Sequence, residues 1–272
     1  MTFKKFLIVA SKQDAAGINI TTNLSQFVNF MKDYEFKFYL VEGEILHEEN
    51  LDMEKINKYD FIIFASRHQS EKNMKTLSVH SVGNFTDASY GGKPGKLSSS
   101  SAQFMKHMFQ TLEKQARESL IDKHYEVTLE ATHHGPLIDK PCLFIEIGST
   151  ENEWKDKRAG FVMAKTIIET IETFKPLAHR EIAAAIGGPH YCPNFNKIQS
   201  KSNVAISHVI PQYVFPLNKE MVTEAIQKTY EPVDFVLLDW KGLGNEESRK
   251  EIVSILSKNH INYEKVSDIL KR

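Results

Sequence analysis

Two adjacent histidines, His133 and His134, precede Gly135-Pro136, and a single acid, Glu146, interrupts the apolar run Cys142-Leu143-Phe144-Ile145 before Ile147-Gly148. An ionised carboxylate inside a buried strand is expensive unless it is paired, hydrogen-bonded or metal-bound. Histidines at the mouth of the same unit are its obvious company. His80, His190 and His208 enlarge the set to five imidazoles. Neutral imidazole and carboxylate suit zinc, and a catalytic zinc keeps one position open for water. We therefore read His80, His133, His134, Glu146 and His190 as candidate metal ligands, and His133, His134, Glu146 and His190 as candidate catalytic groups.

Bland readings compete with each of these. The spacing is not a compact signature such as H-E-x-x-H. Glu146 would be purely structural if a basic partner neutralised it. His208 lies in an apolar strand and reads first as a core residue, while His47, His107, His124, His179 and His260 read as surface or packing residues. Cys192 stands beside His190, but nothing places a base and an orienting acid around it.

The elements that must position these groups alternate. Residues 6–10 read as a strand buried on both faces, followed by a helix through about Met31 with Asp14 as its N-cap. Further strands are expected at 34–41, 60–65 (ending in Ser66-Arg67-His68), 77–84, 181–186, 204–210 and 235–240. Helices are expected at 102–120, after Thr150, at 219–229 and at 246–258. Thr150 with Glu153 matches a capping box, and Phe161, Ala164, Ile168 and Ile171 fit helical spacing. This alternation predicts one domain over residues 1–272, a three-layer α/β/α arrangement around a mixed, largely parallel sheet. Residues 125–147 read as an antiparallel hairpin that sets Glu130 opposite Glu146.

Ligands of open α/β sheets bind beyond the carboxyl ends of the strands. Ser11, Lys12, Asn84 and Tyr191 fall at such ends, and Gly187-Gly188 would let a backbone approach a ligand closely. The loop at 91–101, with Lys93 and Lys96, is neither a Walker loop nor a Rossmann fingerprint. Its glycines, lysines and following helix start suit a phosphate; a mobile linking loop fits equally. We take Ser11, Lys12, Asn84, Lys93, Lys96, Gly187, Gly188 and Tyr191 as candidate substrate contacts.

Bulk composition narrows the class. The 272 residues are 41% hydrophobic and 25% charged, an ordinary globular balance. With 34 Lys and Arg against 35 Asp and Glu, nucleic-acid binding requires a local basic patch rather than a global field. Two cysteines are too few for a disulfide scaffold, so a reducing cytoplasm is expected. The N-terminal apolar run is too short for a signal peptide. No run approaches the roughly 20 apolar residues of a membrane span, so no membrane association is expected.

Taken together, five blocks resemble the archaeal and plant type of D-aminoacyl-tRNA deacylase. They are Ala10-Ser11-Lys12-Gln13-Asp14-Ala15-Ala16-Gly17, Ser78-Val79-His80-Ser81-Val82-Gly83-Asn84, Thr132-His133-His134-Gly135-Pro136, Glu146-Ile147-Gly148-Ser149-Thr150-Glu151 with Trp154, and Gly187-Gly188-Pro189-His190-Tyr191. The resemblance implies hydrolysis of the ester between a D-amino acid and the 3′ end of tRNA. It further implies zinc dependence and a fold like the phosphorylases and peptidyl-tRNA hydrolases. In that reaction Glu146 would ligate the metal or act as general base. His190, or one of the histidine pair, would stabilise the oxyanion or protonate the leaving ribose hydroxyl. The partner would be the acceptor end of D-aminoacyl-tRNA, met by a basic rim drawn from Lys12, Arg67, Lys93, Lys96, Lys155, Lys157 and Arg158. No obligate protein partner is evident.

A metal-independent phosphorylase or nucleosidase on a similar sheet is the alternative. A non-catalytic RNA-binding module fits less well, because Phe61, Phe64, Phe144 and Phe235 read as core.

Overall fold

Strands apolar on both faces belong inside a layered structure, and β1 (Lys5–Ser11) is buried from Phe6 onward. The computed structural model describes residues 3–27 and 33–272. β1 leads into α1 (Ala15–Ser25), which Asp14 caps by accepting from the amides of Ala16 and Gly17 at 2.9 and 3.0 Å. The expected helix to Met31 is described to Ser25, and its stretch 28–32 lies outside the described residues. A Cβ at Gly17 would stand 2.7 Å from the Ala65 carbonyl oxygen, so glycine lets α1 lie directly on the sheet.

The chain continues through β2 (Glu35–Val41), α2 (Met53–Ile56), β3 (Phe61–Gln69), β4 (Thr76–His80), α3 (Ala102–Glu118), β5 (Glu126–Leu129) and β6 (Cys142–Ser149). Then come α4 (Glu151–Trp154), α5 (Lys157–Thr173), β7 (Glu181–Ile186), α6 (Pro193–Lys201), β8 (Val204–Ile210) and α7 (Lys219–Gln227). β9 (Phe235–Leu238), α8 (Glu246–Lys258), β10 (Tyr263–Lys265) and α9 (Val266–Ile269) complete it.

Six strands form one sheet in the order β2-β1-β3-β6-β4-β5. The first four of these are mutually parallel, β4 is antiparallel to β6, and β5 is parallel to β4. This is the mixed, largely parallel sheet that the alternation implied. A second sheet, β10-β9-β7-β8, is parallel throughout. Helix α3, capped by Ser101, packs against β4 and β5 of the first sheet and β7 and β8 of the second. Its Phe104, Met105, Met108, Phe109 and Leu112 lie in one core with side chains from both sheets.

Several expectations are corrected. Residues 125–147 form no hairpin: β4 stands between β5 and β6 and pairs with each. The connection from β5 to β6 contains Pro136 and Pro141, which have no amide to donate to a ladder. Strand β4 stops at His80, and Val82 and Gly83 make only isolated bridges to His133 and Leu97. Strand β3 runs past Ala65 to Gln69 and so carries Arg67 and His68. The Thr150–Glu153 capping box is formed, but the helix it starts breaks after Trp154, and Asp156 caps α5 anew. Phe161 is 39% exposed and leaves the buried stripe of α5 to Ala164, Ile168 and Ile171. Among the described residues, no helix is long and apolar enough to cross a membrane.

Candidate active site

Five segments deliver imidazoles and carboxylates to one cluster on the six-stranded sheet. His68 lies near the end of β3, His80 closes β4, and Glu146 sits within β6. The chain beyond β5 brings Glu130, His133 and His134, and the turn after β7 brings His190 and Tyr191. Glu146 pairs in register with Ser66 on β3 and Ser78 on β4. These small neighbours leave room for its carboxylate.

Each carboxylate is surrounded by imidazole nitrogens. Glu130 has His190 Nε2 at 3.1 Å, His68 Nδ1 at 3.2 Å and His133 Nε2 at 3.6 Å. Glu146 has His68 Nδ1 at 3.5 Å, His80 Nε2 at 3.6 Å and His134 Nε2 at 4.0 Å. His68 is shared, and its Nε2 meets the Tyr191 hydroxyl at 2.9 Å.

Backbone carbonyls fix three of the rings. His80 Nδ1 faces Ser81 O at 3.0 Å, His133 Nδ1 faces Ala131 O at 2.8 Å, and His134 Nδ1 faces Gly135 O at 2.7 Å. A carbonyl only accepts, so Nδ1 carries the proton and Nε2 of the neutral ring is left as a lone-pair donor, the arrangement typical of metal-binding histidines.

Electrostatics divide the cluster. Burial, reinforced by neighbouring imidazoles, pushes His133 well below its usual pKa and His134 down to about 4, so both rings are neutral at pH 7. Burial also disfavours charge on His68, but Glu130 and Glu146 outweigh it and lift this ring to about 11. The same acids raise His80 against its burial. Burial disfavours both carboxylates as anions, yet His190 and His68 hold Glu130 well below the usual range, and His68 and His80 hold Glu146 at about 2.

The donor set suits a divalent cation. His80, His133 and His134 bring ligand atoms within 4.8 Å of one another, as do His68, Glu130 and His190, and also His80, Glu130 and Glu146. Among the described residues, both Glu130 oxygens and His80 Nε2 are buried without a hydrogen bond. The imidazole nitrogens beside Glu130 are close enough for ion pairing but out of line for hydrogen bonding. Unmade bonds of this kind cost about 1–3 kcal/mol each, and a cation would satisfy them.

The cluster opens into a cleft of about 1050 Å³, lined by Ser11, Asp14, Arg67, Tyr90, Ser149 and Trp154 besides His68, His133, His134 and His190. Glu44, Glu71 and Glu151 also line it, with Arg67 and the raised His68 as cations among the lining residues. Of the residues expected at the site from sequence, the structure gathers His80, His133, His134, Glu146, His190 and Tyr191 and sets Ser11 on the cleft wall. Lys12 pairs instead with Glu42, and Lys96 lies 3.8 Å from Glu224. Lys93 is exposed on its loop. Asn84 is buried and donates to Gly91 O. The amides of Gly187 and Gly188 donate to Ile210 O and Gly242 O rather than into the cleft. His208 bridges toward Thr132 Oγ1 and Lys228 O, apart from the cluster. Burial pushes the Cys192 thiol well above its usual pKa, which leaves it inert as a nucleophile.

His68 and Glu130 were not among the expected site residues. His68 lies in the polar tail of β3, beyond the apolar run that marks that strand. Glu130 was expected near Glu146, but through a hairpin that does not exist.

A family model described as D-aminoacyl-tRNA deacylase matches residues 55–264. Curated proteins named D-aminoacyl-tRNA deacylase are similar over most of their length. The Archaeoglobus fulgidus protein is 37% identical over 255 residues, covering 88% of each chain. The Methanocaldococcus jannaschii protein is 32% identical over 270 residues, covering 96% of this chain and 100% of its own. A crystal structure of a conserved protein of unknown function superposes with a TM-score of 0.86 at 29% identity, covering 100% of this chain and 98% of that one. On these matches, the chain belongs to the D-aminoacyl-tRNA deacylase family.

Proposed function

We propose that this chain hydrolyses the ester joining a D-amino acid to the 3′ end of tRNA, releasing both, with zinc as its cofactor. The observation that carries the reading is the convergence of three carbonyl-locked imidazoles, His80, His133 and His134, on a point beside two buried carboxylates. These three would hold the metal, with Glu130 completing the set and Glu146 left free as the base. Zinc bound there supplies Lewis acidity toward water and the ester carbonyl at neutral pH. Glu146, kept ionised by His68, takes the proton from the attacking water. His190 stands partly exposed at the cleft mouth, held against Glu130, and returns a proton to the leaving ribose hydroxyl. Tyr191 positions His68 between the two acids.

Lys12, Lys93 and Lys96 stand outside the cleft, and we assign them to tRNA phosphates beyond the terminal nucleotide. The surface ion pairs of Lys12 and Lys96 are weak enough to exchange for such contacts. A core drawn from both sheets supports reading residues 1–272 as one domain. Two free, buried cysteines and a tRNA substrate fit a cytoplasmic location.

The decisive assay follows release of D-tyrosine from D-tyrosyl-tRNA, with L-tyrosyl-tRNA in parallel, before and after chelation and zinc add-back. Hydrolysis of the D-ester alone, lost on chelation and restored by zinc, is expected. Chelation-resistant D-selective hydrolysis would remove zinc from the reading. Failure to cleave either ester would remove the substrate.

A further inference from the structure

The cleft is lined, besides the imidazoles, by Arg67, Gln69, Asn73 and Trp154, which none of the chemical steps uses. Trp154 closes α4, whose start is set by the Thr150–Glu153 capping box. Its Nε1 donates to the His68 carbonyl at 3.0 Å, which fixes the indole to the backbone of a residue in the cluster. The Arg67 guanidinium carbon lies 5.6 Å from the Trp154 ring centroid, and the Arg67 amide is anchored to Asp14 Oδ2 at 2.8 Å. Arg67 and Trp154 therefore present two flat, polarisable groups beside His68.

Unpaired bases stack on aromatic rings and on arginine planes, whatever the base, because every base has a π-face. Charge points the same way. Glu44, which lies 3.4 Å from the Arg67 guanidinium, Glu151, which pairs with Lys155, and Glu71 line the cleft, so Arg67 is already matched by an acid and the wall suits a neutral heterocycle better than a phosphate. Gln69 and Asn73 carry carboxamides, the group that pairs with the N6 and N7 edge of adenine. The cleft volume of about 1050 Å³ holds a nucleoside together with an amino acid.

We propose that Arg67 and Trp154 form the stacking subsite for the terminal adenine of the tRNA substrate, an assignment that rests on the deacylase reading of the adjoining cluster. The aminoacyl ester is one ribose away from that base. A base on Arg67 and Trp154 thus leaves the ester among the imidazoles.

Of the two tryptophans in the chain, Trp240 lies elsewhere, so Trp240→Phe makes Trp154 the sole indole reporter. Titrating this full-length variant with the trinucleotide CCA should quench its fluorescence, whereas CCC should not. Arg67→Ala and Trp154→Leu, introduced separately into the wild-type chain, should each raise KM for D-tyrosyl-tRNA and D-alanyl-tRNA by the same factor of about 10, with kcat little changed. Absent quenching, or equal quenching by CCC, would overturn the assignment even with deacylation intact. So would a KM effect confined to D-tyrosyl-tRNA, which would make this wall of the cleft an amino-acid pocket. Lack of D-selective hydrolysis by the wild-type chain would instead remove the deacylase reading itself.

Discussion

The two sheets carry buried carboxylates beyond their strand ends, in opposite states. At the second sheet, Asp239 is 5% exposed, and Asn194 Nδ2 donates to both of its oxygens at 3.1 and 3.0 Å. The nearby Gly188 amide is bonded to Gly242 O, and a Cβ on Gly188 would stand 3.2 Å from Asp239 Oδ2. Neutral partners match these groups, and glycine lets the turns close on each other. At the six-stranded sheet, Glu130 is 2% exposed with no hydrogen bond to either oxygen, and it faces three imidazoles instead. Burial alone does not distinguish function from structure here. The mismatch between a buried acid and its partners does.

That distinction is broken most directly at Glu146. If the cluster is catalytic, Glu146→Gln lowers single-turnover deacylation of D-aminoacyl-tRNA by roughly 10³-fold. Its thermal midpoint should stay within a few degrees of wild type, because the amide fits the same space. A large loss of stability with normal turnover would put Glu146 on the structural side of the comparison. A smaller effect is expected one shell outward. Tyr191→Phe removes the hydroxyl that meets His68 Nε2 and should reduce activity or zinc affinity by about 10–100-fold. Zinc titration by equilibrium dialysis separates the two.

How much of this was legible depended on whether the signal was local. Glu146 announced itself as an acid in an apolar run, and His133-His134 by adjacency before Gly135-Pro136. His68 stood in the strand-end segment Ser66-Arg67-His68, but nothing singled it out as a site residue, because the apolar run that marks β3 ends before it while the strand continues to Gln69. The proximity of Glu130 to the cluster could be guessed, but its cause could not. Pairing β4 between β5 and β6 depends on contacts distant in sequence, which hydrophobic period does not encode. The same limit hid the division into two sheets, since parallel strands of both read as similar apolar runs. Lys12, Asn84 and Gly187-Gly188 lie at strand ends as expected, but their hydrogen bonds and ion pairs with other parts of the protein could not be read from position alone.

On the structural side, Asp239→Ala leaves the Asn194 amide without its acceptor. It should cost about 1–3 kcal/mol in chemical denaturation, with deacylation per folded molecule unchanged. Loss of activity without loss of stability would make the second sheet's end a functional site as well.

Lys106 offers the finest test of the same rule. It is 1% exposed in α3, and its Nζ donates to the carbonyls of Ile198 and Gln199 at 3.2 and 2.6 Å. Like Asp239, it is matched by neutral groups. Burial, with Arg180 adding to it, pulls its pKa down to about 7 from the ordinary lysine value of 10.5. Between these values the unfolded chain binds a proton that the folded chain has released, so stability rises with pH across that window and falls as pH drops toward 7. The gain is at most about 1.4 kcal/mol per pH unit. Lys106→Met should flatten the rise in urea melts between pH 7 and 9.5 while leaving deacylation at each pH unchanged. An unaltered slope would mean that the carbonyls of α6 hold the ammonium charged. A shifted pH profile of activity would couple this buried lysine to the cluster and break the division between the two regions.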